Sequence, residues 1–238
     1  LLTEFMPYDR PARPNYPFVR LSNDNIWEVK GLQALDTKGD WSDTQLLANR
    51  TRGGFTVEAY NLLKQDGKLL SDLAQIILDQ HFAATLHEDI LNRVGLELRE
   101  GLTKPRDPDF RERVLRAYEY RCAVCGFNVR LGNTLIAVEA AHIKWHCYGG
   151  PDQGDNGIAL CSLHHKLFDR GVFTLDDSFV LRVAERAHGT VGFKEWLMRY
   201  HGKTIRRPQR VTYYPNREFI NWHVKEVFRG PSRYIIGS

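Results

Sequence analysis

No run of eighteen or more apolar residues occurs in this chain, so the sequence offers no candidate transmembrane helix. Its opening, Leu1-Leu2-Thr3-Glu4, lacks the basic start and apolar core of a secretory signal. No entry into or passage across a membrane is expected. Cysteine is scarce, with four in 238 residues, and could close at most two disulfides. Internal repeats and low-complexity tracts are absent. An initiating Met is also absent, which points to a processed or partial product. What is present is an apolar fraction of 42%, enough for one large domain or two modest ones with a closed core.

The net charge of +4 is mild but unevenly placed. Residues 1 to 100 hold 11 Lys/Arg against 15 Asp/Glu, and residues 101 to 200 hold 14 against 12. Residues 201 to 238 hold 8 against 2: Lys203, Arg206, Arg207, Arg210, Arg217, Lys225, Arg229 and Arg233. That tail is either a solvated basic surface or a surface that meets a polyanion.

Two segments of different character meet near Gly101-Leu102-Thr103-Lys104-Pro105, which predicts domains at 1–103 and 104–238. In the first, Tyr16–Leu21 and Asn25–Val29 read as a small hairpin across the turn at Ser22-Asn23-Asp24. Leu69, Leu73, Ile76 and Ile77 fall at helical spacing and are expected in a core. Thr85 and Glu88 have the capping-box spacing, which predicts a helix running through Leu91 and Val94. The second segment opens with Asp107 as N-cap and Pro108 at the first helical position, with Phe110, Val114, Leu115 and Tyr118 on one face. Strands are expected at Leu135–Ala140 and Gly157–Leu160, a loop at Gly149-Gly150-Pro151-Asp152 between them, and a helix over about 161–168.

Cys122-x-x-Cys125 brings two thiolates onto one knuckle, and Cys161-x-x-His164 supplies a second pair at the same internal spacing. This predicts a closed, structural Cys3His zinc site that contributes folding free energy rather than chemistry. Cys147 lacks a paired spacing and is expected as a buried free thiol.

His142 ends the first predicted strand, Asn156 precedes the second, and His165 follows the zinc ligand His164 on the helix. This order resembles the HNH endonucleases, whose ββα-metal fold wraps one divalent cation between a hairpin and a helix; the resemblance covers 108 to about 172. Hydrolysis of a phosphodiester needs a base for water, which an imidazole near neutrality provides, and His142 is assigned that role. A cation, Mg or Mn, must offset charge on the phosphorus and leaving oxygens, and His165 is expected to hold it. Asp169, one helical turn on, is a candidate second ligand. Asn156 is expected to hold the loop bearing His142 in register. Many HNH enzymes carry Asp or His just before the general base, where this chain has Ala141. Asp169 or Glu139 is then expected to complete the ligand set, with His146 a further candidate.

Upstream, Tyr16-Pro17-Phe18-x-Arg20, Asn23-Asp24-x-Ile26-Trp27, Arg52-Gly53-Gly54-Phe55 and Leu86-His87-Glu88-Asp89-Ile90-Leu91 extend the likeness nearly end to end. So do Ala140-Ala141-His142-Ile143-Lys144-Trp145-His146 and Glu226-Val227-Phe228-Arg229-Gly230-Pro231. Together they resemble the phosphorothioated-DNA-binding restriction endonucleases, in which a sulfur-binding domain precedes the HNH domain. The resemblance implies an α+β chain: a mainly helical sulfur-binding-type domain, N-terminally incomplete here, then a zinc-stabilised ββα-metal nuclease. Tyr16, Pro17 and Phe18 would form an apolar wall for the weakly hydrated sulfur. Arg20 and Arg52 would pair the remaining anionic oxygen, and Gly53 and Gly54 would admit the phosphate to the backbone. It further implies a bacterial cytoplasmic restriction enzyme acting on double-stranded DNA, with a homodimer as one way to cut both strands. The competing readings are an HNH nuclease for methylated or hydroxymethylated cytosine and a zinc DNA-binding module without activity.

Overall fold

The computed structural model describes residues 25–31, 43–96 and 108–234. The described chain is α+β, with small two-stranded antiparallel ladders set among helices. Contacts divide the described residues into two compact units, one of residues 25–31 and 43–75, the other of 76–96 and 108–234.

In the first unit β1 (Trp27–Lys30) pairs in register with β2 (Arg52–Phe55), Trp27 opposite Phe55 and Lys30 opposite Arg52. Trp27 and Phe55 meet edge to face at 5.7 Å, the cross-strand aromatic pair that fixes such a ribbon. The strand expected near Asn25–Val29 is therefore present, but its partner is Arg52–Phe55; the residues expected to pair with it, 16–21, lie outside the described ones. Between the strands runs α1 (Asp43–Ala48), and after them α2 (Val57–Gln65), whose N-cap Thr56 accepts from the Ala59 amide. Asp66 then caps α3 (Gly67–His81), accepting from the amides of Lys68 and Leu69.

The periodicity of α3 predicts a buried face at Leu73, Ile76 and Ile77, and these three are exposed. The buried seam runs instead through Ser71 and Leu78, two turns apart, so the helix is rotated from the face its most apolar residues define. The Thr85/Glu88 box also resolves differently. A 3₁₀ turn (Ala84–Leu86) leads into α4 (His87–Val94), whose N-cap is Leu86 with no side-chain cap bond. Thr85 is used elsewhere, as described below. Gly95, at φ +67°, ends α4.

In the second unit, which also holds the end of α3, the 3₁₀ turn and α4, α5 (Pro108–Ala117) buries Phe110, Val114 and Leu115, as its stripe predicts, and Tyr118 just beyond it is buried as well. Asp107 lies outside the described residues. A two-residue ladder, β3 (Arg130–Leu131) with β4 (Thr134–Leu135), precedes the central hairpin of β5 (Val138–His142) and β6 (Gly157–Cys161). Register pairs Val138 with Cys161 and His142 with Gly157. Side chains alternate across a strand, so Val138, Ala140 and His142 leave one face of the hairpin and Glu139 and Ala141 the other. On the first face packs α5: a Cβ on Gly157 would come 2.2 Å from Val114 and 3.2 Å from Phe110, so only glycine fits there. On the second lies α6 (Ser162–Asp169), entered directly from β6.

A last ribbon, β7 (Phe173–Leu175) with β8 (Leu181–Val183), closes the core with α7 (Val191–Trp196) and α8 (Arg217–Glu226). His223 of α8 is fully buried, stacks on Phe168 at 3.7 Å, and bonds the Thr174 hydroxyl and the Phe168 carbonyl. No helix among the described residues is long and apolar enough to cross a membrane.

Candidate nuclease centre and zinc site

The zinc knuckle forms because Gly126, at φ +77°, lets the chain turn back so that its amide reaches the Cys122 carbonyl. Cys122, Cys125, Cys161 and His164 place their ligand atoms within 4.8 Å of one another. Zinc bonds of ~2.3 Å in a tetrahedron separate two sulfurs by about 3.8 Å. Cys125 and Cys161 stand 3.9 Å apart, and His164 Nδ1 lies 3.1 Å from Cys161 Sγ and 3.6 Å from Cys122 Sγ. Burial disfavours a charged His164 ring, yet the surrounding cysteine sulfurs push it up to about 12. Three sulfurs and one imidazole nitrogen converging at one point are a donor set suited to Zn²⁺. His164 Nε2 lies 2.8 Å from the Trp196 carbonyl, and donation to that oxygen leaves Nδ1 as the ligand nitrogen. The donor set fits zinc. Cys147 stands apart from this quartet and is half-buried rather than buried.

Asn156 is completely buried beneath the loop that follows β5. Its Oδ1 accepts from the Lys144 amide at 2.9 Å, and its Nδ2 donates to the carbonyls of Lys144 at 3.1 Å and Pro151 at 2.9 Å. One side chain thus ties both ends of the loop between the strands. Gly150 makes room for it, since a Cβ there would meet the Lys144 carbonyl oxygen at 1.8 Å and Asn156 Nδ2 at 2.9 Å. The loop so held carries Asp152, whose Oδ1 is 2.7 Å from His142 Nε2. A carboxylate can only accept, so Nε2 carries the proton in this pair and Nδ1 is the basic nitrogen. Phe110 stacks on the His142 ring at 4.0 Å and 14°, fixing its plane, and His146 approaches edge-on at 5.9 Å.

On the opposite face His165 lies between two carboxylates. Nδ1 is 2.6 Å from Glu139 Oε2, and Nε2 is 3.3 Å from Asp169 Oδ2. The Ser162 hydroxyl donates to Glu139 Oε1 at 2.7 Å, and the Thr85 hydroxyl donates to Asp169 Oδ2. Asp89 of α4 bridges Lys166 at 2.9 Å and Arg170 at 2.6 Å on the same helix. Both flanking contacts hold the Asp89 carboxyl below the usual range, against the opposing effect of burial.

Sequence reasoning named His142, Asn156, His165, Asp169 and the zinc quartet, which fall on the knuckle, the hairpin with its loop, and the helix, but it gave no site role to Asp152, Ser162 or Thr85. Asp152 lay in a stretch read only as a loop. Its Gly-Gly-Pro lead, which brings the chain sharply back toward the strand, was the available signal. Of the expected sulfur-site residues, Arg52, Gly53 and Gly54 lie on β2, with Arg52 exposed and nothing within 4 Å of a Cβ built on Gly54. Tyr16, Pro17, Phe18 and Arg20 lie outside the described residues.

Residues 1–99 match the family described as ScoMcrA-like, DNA sulfur-binding domain, and residues 122–176 match HNH endonuclease. Among solved structures, a "Modification dependent TagI restriction endonuclease" is similar at 22% identity and a TM-score of 0.36, over 56% of this chain and 41% of that one. The match thus spans about two fifths of that relative's length. No curated protein matches.

Proposed function

Because one chain joins a ScoMcrA-like DNA sulfur-binding domain to an HNH endonuclease domain, which makes it a nuclease and a hydrolase, we propose that it is a restriction endonuclease that binds phosphorothioated double-stranded DNA and cuts it nearby. The pairing of a sulfur-reading domain with a phosphodiester-cutting one is the observation that carries this reading. In the upstream segment Arg52 offers charge to the remaining phosphate oxygen, and the open backbone at Gly54 allows a close approach.

In the nuclease domain His142 takes the proton from the attacking water at Nδ1. Asp152 accepts the Nε2–H throughout, keeping the ring in that tautomer and stabilising the imidazolium that forms. Asn156 acts by position, fixing the loop on which Asp152 approaches His142. A divalent cation, Mg or Mn, held at His165 with a neighbouring carboxylate would supply Lewis-acid stabilisation of the developing charge. A structural zinc held by Cys122, Cys125, Cys161 and His164 would lock the knuckle to the start of α6, and so set the helix carrying His165 against the hairpin carrying His142. The products expected are 5′ phosphate and 3′ hydroxyl ends.

The test compares cleavage of matched duplexes that are plain, phosphorothioated, or carry methylated or hydroxymethylated cytosine, with Mg²⁺ or Mn²⁺ present. Cleavage confined to the phosphorothioated duplex is the expected result. Equal cleavage of the plain duplex, or preference for a cytosine mark, refutes it.

A further inference from the structure

Both ring nitrogens of His165 face a carboxylate: Glu139 at Nδ1 and Asp169 at Nε2. A cation at Nδ1 would displace the proton shared with Glu139 at 2.6 Å and meet that carboxylate, leaving the ring proton on Nε2, whereas one at Nε2 would meet Asp169. The two carboxylates cannot share an ion through this ring. Among the described residues, the only His, Cys, Asp or Glu group of three or more with ligand atoms all within 4.8 Å is the zinc quartet. Glu139 and Asp169 thus stand at opposite ends of the imidazole.

Two observations choose between the ends. The Glu139 side chain keeps 34% of its exposure and Asp169 only 3%, so a hydrated cation can reach the first and not the second. Asp169 Oδ2 also accepts the Thr85 hydroxyl, which fastens it from the other side. A buried, hydrogen-bonded carboxylate facing the far nitrogen of a ligand imidazole is the arrangement that fixes the ring's tautomer and orientation. Resting on the nuclease reading above, we propose that a divalent cation is held at His165 Nδ1 with the Glu139 carboxylate, and that Asp169, fastened by Thr85, is a positioning residue that holds the ring from Nε2. Asp169 is then not the second ligand that the i, i+4 spacing suggests. Thr85 lies outside residues 122–176 and inside 1–99, so the segment matching the sulfur-binding domain supplies a support of the nuclease centre.

The test uses the full zinc-loaded chain, with Mn²⁺ as the probe, titrated calorimetrically without DNA. Glu139→Gln is expected to weaken Mn²⁺ binding ~100-fold or more, and Asp169→Asn only ~10-fold, because the amide oxygen remains an acceptor facing Nε2. Thr85→Val should weaken it by up to ~10-fold and Thr85→Ser should restore it. Wild type without Mn²⁺ affinity, Glu139→Gln within threefold of wild type, or a larger loss in Asp169→Asn than in Glu139→Gln overturns the assignment. Glu139 is partly exposed, so its variant should fold. Should Asp169→Asn fail to fold, equal affinities for the two Thr85 variants would still overturn the positioning role. Single-turnover cleavage of the phosphorothioated duplex separates the two levels: the expected Mn²⁺ pattern in a chain that spares every duplex would sink the endonuclease reading and support the cation site.

Discussion

Replacing Asn156 isolates the part of the site that works by position. With its fully buried side chain truncated in Asn156→Ala, the Lys144 amide and the carbonyls of the half-buried Lys144 and Pro151 all lose a partner. Each unsatisfied buried group costs about 1–3 kcal/mol, so the loss should be ~3–9 kcal/mol, a large share of the 5–15 kcal/mol typical of a domain. Asn156→Asp keeps the shape and the acceptor for the Lys144 amide but turns the two donated bonds into a carboxylate against two carbonyl oxygens. That carboxyl relieves the clash only by protonating, so its folded pKa must rise above the unfolded value. The folded state then binds more protons than the unfolded one, and the Asp variant should lose further stability as pH rises from 5 to 8. The Ala variant should show no such added slope against wild type. Urea unfolding at both pH values, read by far-UV circular dichroism, measures the two gaps. A loss below about 1 kcal/mol in Asn156→Ala, or a pH-independent gap between the variants, would refute the clamp.

Chelating zinc, or substituting Cys122→Ser, should unfold the second unit, since structural zinc supplies ~10–16 kcal/mol of apparent binding free energy in small folds; one zinc per chain by elemental analysis and loss of the melting transition are the readouts. His142→Ala should lower single-turnover cleavage by ~10²-fold or more while duplex binding is kept, and Asp152→Asn should lower it less. Gly150→Ala should destabilise and inactivate together, because its Cβ has no space beside the Lys144 carbonyl. Burial pushes the His223 ring down to about 3, only partly opposed by the Phe168 carbonyl. Because its folded value lies below the ordinary ~6.5, the unfolded chain alone takes up this proton. The contribution is whole above about pH 6.5 and falls by ~1.4 kcal/mol per unit as pH drops toward 3. His223→Leu should flatten the pH 5–7 stability slope relative to wild type.

Features fixed by short spacing were legible in the sequence. The C-x-x-C and C-x-x-H pairs each close over one turn, and the Phe110, Val114, Leu115 stripe lies within one helix, so local geometry settles them. Thr85 shows where this fails. Its spacing to Glu88 matches a capping box, but the same hydroxyl serves a carboxylate 84 residues away, and the tertiary partner won. Leu73, Ile76 and Ile77 failed similarly: periodicity reports which face is most apolar, whereas packing chose the face of Ser71 and Leu78. Asp152 was invisible because its partner His142 is brought to it only by the loop that Asn156 ties down.

The distribution of buried polar groups explains why this region carries so many long-range bonds. Of the eight buried polar or charged residues among those described, Asn156, His164, His165 and Asp169 lie within fourteen positions of one another on β6, its approach and α6. Thr174 and His223 bond each other, and His223 bonds the carbonyl of Phe168, next to Asp169. Burying such groups costs stability unless each finds a partner, and a Leu or Phe at these positions would cost nothing of that kind. The polar residues therefore act by specifying geometry. Each hydrogen bond fixes one ring or one loop that an apolar core would leave free to shift, and the rings fixed are those assigned to the zinc, the cation and the proton. The proposed nuclease centre, between a two-stranded hairpin and a two-turn helix, has little backbone to hold it, and the side chains of Asn156, Asp152, Asp169 and Thr85 are proposed to do the holding instead.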